Sequence, residues 1–276
     1  MQQKGGALET ICVIEIPIIN LYPPGFHPFQ VNDGEAMEQL VKSVKRYGVR
    51  EPALARPRAE GGYELIAGNR RRRACELAGI STLPVIIREM DDSTAAIAMV
   101  DSNLMHRETI LPSEKAWAYR VKLEALNHNG VKGEAHSVDV LAVQTGESRN
   151  QIYRFVRLTE LIVTLLDKVD ARQLAFNPAV ELSYLSITEQ TAVADAMSEY
   201  EVKPSFSQAV RLKKLKQSGG LTIDIIYAVL SESKRPPKGE ATGSARYRRY
   251  FPPEYSPKQI DEVIINLLSE WSVRTA

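Results

Sequence analysis

An α+β N-terminal domain, an all-α domain with a helix-turn-helix, and a small helical C-terminal segment form the fold class that this sequence predicts. Three observations predict it. Over about the first hundred residues, short runs rich in Val, Ile and Leu alternate with short helical stretches. From Pro112 to about Leu215 most segments carry apolar residues at helical spacing. Gly219-Gly220 and a Pro/Gly-rich stretch over 234–244 then set apart one short helix and a final one. These breaks give domains of 1–110, 111–218 and 219–276.

Residues 1–10 read as a loose tail, and residues 11–21 as a strand interrupted at Pro17, which cannot donate to a ladder. Residues 22–30 form a proline-rich loop. Glu35–Tyr47 carries Met37, Leu40, Val41 and Val44 at helical spacing, and Gly48 ends it. Residues 52–56 form a short strand, and Gly61-Gly62 turns the chain into another over Tyr63–Ala67. The helix opened by the arginine run Arg70-Arg71-Arg72-Arg73 stops at Ala78-Gly79, and residues 83–88 are a further strand. Asp91-Asp92-Ser93 caps a helix beginning near Thr94, which argues against reading the two aspartates as a metal pair. Ser113-Glu114-Lys115-Ala116-Trp117 opens a long helix through about Ala125, and residues 127–136 form a loop. In the last helix, 257–271, Ile260, Val263, Ile264, Leu267, Leu268 and Trp271 share one face, which fits either a dimer seam or packing within the chain.

The chain has 276 residues, a formal net charge of +1, 44% hydrophobic and 25% charged residues, an ordinary soluble globular composition. Net charge therefore gives almost no pointer to a nucleic-acid partner, but positive charge is concentrated at 70–73, 211–216 and 246–249. The stretch 246–251 interleaves cations with aromatic rings, a pattern that fits nucleic acid or an interface. Cys12 and Cys75 fit no metal spacing and read as buried free thiols in a reducing compartment. No apolar run approaches the ~20 residues of a membrane helix, and Met1 to Gly6 lacks the hydrophobic core of a secretory signal. The expectation is a cytoplasmic protein with no membrane partner.

Two segments carry chemistry. A strand, Gly68 and a helix start rich in arginine bring backbone N–H groups and guanidinium groups to one spot, which is an anion site. Residues 137–158 have helix-turn-helix spacing: Leu141 and Ala142 pack in the first helix, Gly146 makes the turn, Ser148 caps the second helix, and Ile152 and Phe155 hold it. Arg149, Asn150, Gln151 and Arg154 then project outward, side chains suited to phosphates and base edges. Thr145 and Glu147 are more polar than the pattern prefers. His27 and His106 read as surface or loop histidines, and the helical context of Trp117 and Tyr119 favours core packing over base stacking.

Together these segments resemble the ParB/RepB partition-protein family. Tyr63 to Ala74 with Leu77-Ala78-Gly79-Ile80 and Leu83-Pro84-Val85 is similar to its G-E-R-R-x-R-A box and following strand. Asp101 to Glu108 is similar to its E-N-L-Q-R-E box, and Leu111-Pro112-Ser113-Glu114-Lys115-Ala116 to the segment leading into the helical domain. Phe26-His27-Pro28-Phe29-Gln30 stands where the family has N-P-x-Q-P-R. The match covers roughly residues 11–185 and is most similar to ParB-like proteins of plasmids and integrative elements of Gram-positive bacteria, including the 176–183 segment.

The resemblance implies a ParB/sulfiredoxin-like N-terminal domain that binds CTP with Mg²⁺ and closes as a clamp on DNA, and a helical domain that reads a palindromic site in double-stranded DNA. It also implies a homodimer and a partition ATPase as partner. By resemblance, Gly68, Arg70 and Arg71 cradle phosphates, Asn69 and Gln30 lie by the nucleotide, and Asn103 and Arg107 contact phosphate or metal. Ser148, Arg149, Asn150, Gln151 and Arg154 contact DNA.

The chain departs from the family pattern at positions that matter. Asn69 replaces the acid of the first box, Ser102 replaces the glutamate before Asn103, and Val31 and Asn32 follow Gln30 where the family has proline and arginine. One extra residue separates Asn103 from Arg107. Two lost carboxylates remove metal ligands and a group to orient an attacking water. Asp101 is not expected to substitute, because neighbouring positions on a helix point apart. Three readings stand: a site-specific DNA-binding partition protein, CTP-gated or not; a ParB-type CTPase; and a transcriptional regulator that does not spread. No catalytic residue is identified.

Overall fold

Pro17 divides the first β segment. The structure, a computed structural model, describes residues 12–107, 109–128, 134–232, 250–252 and 254–275. Strand β1 (Val13–Pro17) gives way to a 3-10 turn (Ile18–Asn20) and then to β2 (Leu21–Tyr22). With β3 (Ala53–Pro57), β4 (Tyr63–Ala67) and β5 (Thr82–Ile87) they form a five-stranded sheet in the order β1-β5-β3-β4-β2. β1 pairs antiparallel with β5, from Val13 opposite Ile86 to Pro17 opposite Thr82. β3 runs parallel to β5 and antiparallel to β4, and β2 runs parallel to β4. β1 and β2 therefore take opposite edges while close in sequence. The chain from Pro17 to Leu21 spans at most about 14 Å, whereas the edges of a flat sheet of this size lie about 19 Å apart. The sheet must curl.

Adjacent residues of β4 face opposite sides. Leu65 packs with Met37 and Val44 of α1 (Glu35–Tyr47) and with Ala74 and Cys75 of α2 (Asn69–Ala78). Ile66 packs with Ala95, Met99 and Val100 of α3 (Asp92–His106), Phe29, and Ala118 of α4 (Pro112–His128). The Asp91 carboxylate accepts the Thr94 N–H at 2.7 Å, the expected cap. Cys75 is buried as expected, but Cys12 is exposed, because it adjoins an edge strand of which only Ile16 is buried.

The helical region comprises α5 (Glu134–Thr145), α6 (Arg149–Leu158), α7 (Val163–Asp170), α8 (Phe176–Leu182), α9 (Ile187–Glu199), α10 (Phe206–Gln217) and α11 (Ile223–Ser231). α4 is shared between cores: Ala118 faces the sheet side, Ala116 the main helical core, and Tyr119 and Leu123 the α5–α6 pair. A helix buried on so many sides needs its polar groups paired, and the fully buried Lys122 ammonium meets Asp101 of α3. This engages the carboxylate that the sequence weighed as a substitute metal ligand. Trp117 and Tyr119 pack against core, as their helical context predicts.

Ile226, Val229 and Leu230 of α11 are buried in the helical core, so the first compact unit reaches Leu230, beyond the break read at 218. The second unit, Ser231–Ala276, contains α12 (Pro257–Thr275), on which Ile260 is buried and Ile265, Leu267, Leu268 and Trp271 are exposed. The cationic stretch 246–249 lies outside the described residues. Among the described residues no helix is long and apolar enough to cross a membrane.

Gly68 joins β4 to α2 at φ 111°, and a Cβ there would lie 2.7 Å from the Ala53 Cβ. Gly68→Ala is expected to cost about 2–3 kcal/mol through left-handed strain and overpacking. Urea denaturation measures this, and Ala53→Gly in the same protein should recover part of the loss.

Candidate functional site

Because Gly68 turns β4 directly into α2, the first N–H groups of that helix have no partner within it. Asn69, Arg70 and Arg71 line an open cavity of about 540 Å³, together with Gly68 and Ser102, Asn103 and Arg107 from the end of α3. Ala36, Gln39 and Leu40 of α1 and Glu51 complete its wall.

The arginine run divides its work. Arg71 Nη1 donates to the carbonyls of Glu51 and Pro52, both at 2.7 Å, so this residue anchors α2 to the start of β3. Burial pulls its guanidinium below the ordinary arginine range, with Glu51 opposing. Arg72 pairs with Glu76 at 3.1 Å. Arg73 grips Asp33 through two bonds, Nε to Oδ1 at 3.1 Å and Nη2 to Oδ2 at 2.5 Å. That grip holds the Asp33 carboxyl below the usual carboxylate range. Arg70 is exposed and makes no hydrogen bond or ion pair among the described residues.

Arg107 faces the same cavity from a buried mooring. Its Nη1 donates to Glu114 Oε1 at 3.2 Å and its Nη2 to the Gln30 carbonyl at 3.0 Å, and its guanidinium lies 5.1 Å from the Phe29 ring centroid. Burial lowers its affinity for its proton; Glu114 opposes this, and the cation on Arg70 adds to it. Two guanidiniums thus repel across a space bordered by a helix N-terminus, an arrangement that an anion relieves.

Glu114 is the residue that sequence reasoning missed here. Only 4% exposed, it accepts the Gln30 N–H at 2.7 Å and the Leu111 N–H at 3.1 Å as well as Arg107. As the third residue of α4 it reaches back to the Leu111 N–H the way the acid of a capping box does, but with leucine at the cap position the sequence carries no such signature. Gln30 is consequently held by its backbone, and its exposed side chain is not part of the cavity wall.

His27 joins the site too, contrary to its reading as a plain loop histidine. Its Nδ1 lies 2.6 Å from the Phe29 carbonyl oxygen and its Nε2 lies 3.1 Å from Asn69 Nδ2. Burial pushes the His27 imidazole below its usual range, outweighing the pull of the Phe29 carbonyl in the other direction.

Asn103 donates its Nδ2 to the Met99 carbonyl at 2.8 Å, leaving Oδ1 as the end available for a cation. Glu51 is the one carboxylate among the described residues of the wall. Among the described residues, no group of three or more His, Cys, Asp and Glu side chains converges as a metal site.

The second predicted site has the expected backbone. Gly146 sits at φ 71°, and the Ser148 hydroxyl accepts the Gln151 N–H at 3.2 Å. Val138, Leu141 and Ile152 are buried between α5, α6 and α4. The polar flanks of the turn are used: Thr145 donates its hydroxyl to the Leu141 carbonyl at 2.8 Å, and Glu147 pairs with Lys115 of α4. Ser148, Arg149 and Asn150 are exposed, and Arg149 is paired with Asp139 of α5. Gln151 and Arg154 are half-buried. Arg154 bonds Gln151 at 3.3 Å and Asn177, with its guanidinium 5.0 Å from the Phe176 ring centroid. The outward projection expected for these two is thus only partial, because the start of α8 packs beside them.

The family model for the ParB N-terminal domain matches residues 2–104. A probable chromosome-partitioning protein ParB of Neisseria meningitidis serogroup A is 30% identical over 228 residues, covering 80% of this chain and 74% of that protein. The chain belongs to the ParB family. A nucleoid occlusion protein of Listeria innocua is 33% identical over 179 residues, 64% of this chain, and the chain spans about 60% of that relative's length. Two structures of C-terminally truncated ParB from Caulobacter crescentus are also similar. The one complexed to the centromeric parS site is 23% identical with a TM-score of 0.42, covering 80% of this chain and 100% of that one. The one with CTP-gamma-S is 26% identical with a TM-score of 0.33, covering 68% and 99%.

Removing the Glu114 carboxylate strands the partly buried Arg107 cation and two N–H groups. Glu114→Ala is expected to cost about 3–5 kcal/mol, and Glu114→Gln, which keeps an acceptor, clearly less. Chemical denaturation of the two variants checks the ranking.

Proposed function

We propose that this ParB-family protein is a site-specific DNA-binding partition protein whose N-terminal cavity takes the polyphosphate of CTP. The observation that carries the nucleotide reading is the convergence of unpaired Arg70, moored Arg107 and the α2 N-terminus on one cavity. In this reading Arg70 and the first N–H groups of α2 hold phosphate oxygens. Arg71 keeps that helix start in place, and Arg107 supplies charge from the opposite wall. Mg²⁺, when bound, shields the phosphate charge. The donor set suits a hard cation that keeps most of its ligands as phosphate oxygens and water, with Asn103 Oδ1 as the protein ligand. The residues support binding more than hydrolysis, since Asn69 and Ser102 offer no carboxylate and Asp101 is held by Lys122.

The exposed start of α6 is the proposed major-groove element, with Asn150 reading base edges and Ser148 and Arg149 on phosphates. Gln151 and Arg154 then act from the flank. A palindromic double-stranded site calls for a homodimer, and the exposed apolar face of α12 is its proposed seam. The replicon served is proposed to be a plasmid or integrative element, with a partition ATPase as partner and the cytoplasm as location. The similar proteins named above are a chromosomal partition protein and a nucleoid occlusion protein.

Calorimetry with CTP and with CTP-gamma-S, in Mg²⁺, tests the cavity. Arg70→Ala should weaken binding about tenfold or more without lowering the melting temperature, because Arg70 bonds to nothing else among the described residues. Unchanged affinity in that variant would sink the nucleotide reading. For the DNA site, Asn150→Ala should cost about ten- to a hundredfold in affinity for the cognate palindrome while leaving non-specific binding intact. Equal loss on both kinds of DNA would assign Asn150 to the phosphates instead.

A further inference from the structure

His27 and Asn69 touch each other. They stand in separate boxes of the family pattern, yet their side chains meet at 3.1 Å beside the cavity. The bond has a defined direction. A carbonyl oxygen only accepts, so the 2.6 Å approach of His27 Nδ1 to the Phe29 carbonyl puts a proton on Nδ1. In the neutral ring Nε2 then carries a lone pair, and Asn69 Nδ2 donates to it. This leaves Asn69 Oδ1 as the end free for the cavity that the residue lines.

We infer that His27 is a positioning residue of this cavity, acting through Asn69. Neutral His27 holds the Asn69 amide oxygen toward the ligand, and protonated His27 reverses the amide, offers its NH₂ group and adds a positive charge. The inference rests on the polyphosphate reading of the cavity. A doubly protonated ring donates at both nitrogens, so Nε2–H can meet Asn69 only through Oδ1. The reversal exchanges an acceptor for a donor toward an anion, and both changes favour a polyphosphate.

The charged groups acting on the ring come from other elements: Arg107, after α3, opposes protonation, and Glu114, on α4, favours it. Burial is the larger influence and keeps the ring neutral below its ordinary value of 6.5. The unfolded chain therefore takes up this proton first, and the stability that His27 confers is present above 6.5 and lost as pH falls through the lowered value. A bound polyanion draws the proton back, so binding and proton uptake are linked, and affinity rises as pH falls.

Calorimetry with inorganic triphosphate at pH 7.5 and 5.5, on the whole protein and on His27→Gln, reads this directly. The ligand's own protonation is common to both proteins. The ratio of the variant's Kd to that of the unsubstituted protein should grow about tenfold between the two pH values. A ratio constant within about twofold would overturn the inference. Nitrogen-resolved NMR titration of the His27 ring in the absence of ligand supplies the second arm. Asn69→Asp should move the His27 midpoint up by about one pH unit, because a carboxylate favours the charged ring, and an unmoved midpoint would refute the coupling. Absence of triphosphate binding at both pH values would overturn the cavity reading and with it the affinity effect, while the NMR titration would still decide whether Asn69 controls His27.

Discussion

One buried carboxylate fixes the relation between sheet and helices. Glu114 receives the N–H of Gln30 from the loop after β2, the N–H of Leu111 ahead of α4, and the guanidinium of Arg107 after α3. An ion so far from water is tolerated only when its lone pairs are filled, and here three separate segments fill them. α4 starts from that point and carries one side of each of three apolar clusters. The polar knot and the apolar packing of α4 in three clusters together set the position of the helical core relative to the cavity.

The cavity follows from the same knot. Arg107 is held by Glu114 and Phe29, so its charge stays beside the α2 N-terminus although Arg70 repels it. A mobile lysine would turn away from such repulsion; a guanidinium moored at two points cannot. The arginine run supplies the rest by dividing its work. Arg71 and Arg73 fasten α2 to neighbouring loops, and Arg70 makes no hydrogen bond or ion pair among the described residues. Preorganisation of this kind lowers what binding must spend on ordering side chains.

In the helix-turn-helix the polar residues that weaken the sequence pattern strengthen the structure. Thr145 closes the end of α5, and Glu147 ties the turn to Lys115 on α4. Glu147 also helps raise the Tyr119 hydroxyl above its usual range, after burial itself. The turn is thereby braced against the helix that also bears Glu114. The exposed start of α6 thus stands next to a turn fastened on both sides.

By itself the sequence determined several elements and their ends. Periodicity marked α1, the tight glycine marked the start of α2, Asp91 marked the cap of α3, and Gly146 with Ser148 marked the turn from α5 into α6. These are local effects, set by φ, by hydrogen bonds to near neighbours and by apolar spacing, so they are legible along the chain. The motif boxes also brought Gly68, Asn69, Arg70, Arg71, Asn103 and Arg107 to one cavity. Only the tertiary structure decided which of those side chains are free. Arg71 lines the cavity and also anchors α2, Gln30 contributes its backbone, and Gln151 and Arg154 lie half-buried beside α8. His27 and Glu114 were invisible as site residues because their partners stand 42 and 84 positions away, at Asn69 and Gln30. Burial and hydrogen-bond satisfaction belong to the folded neighbourhood, and no spacing within a single segment records them.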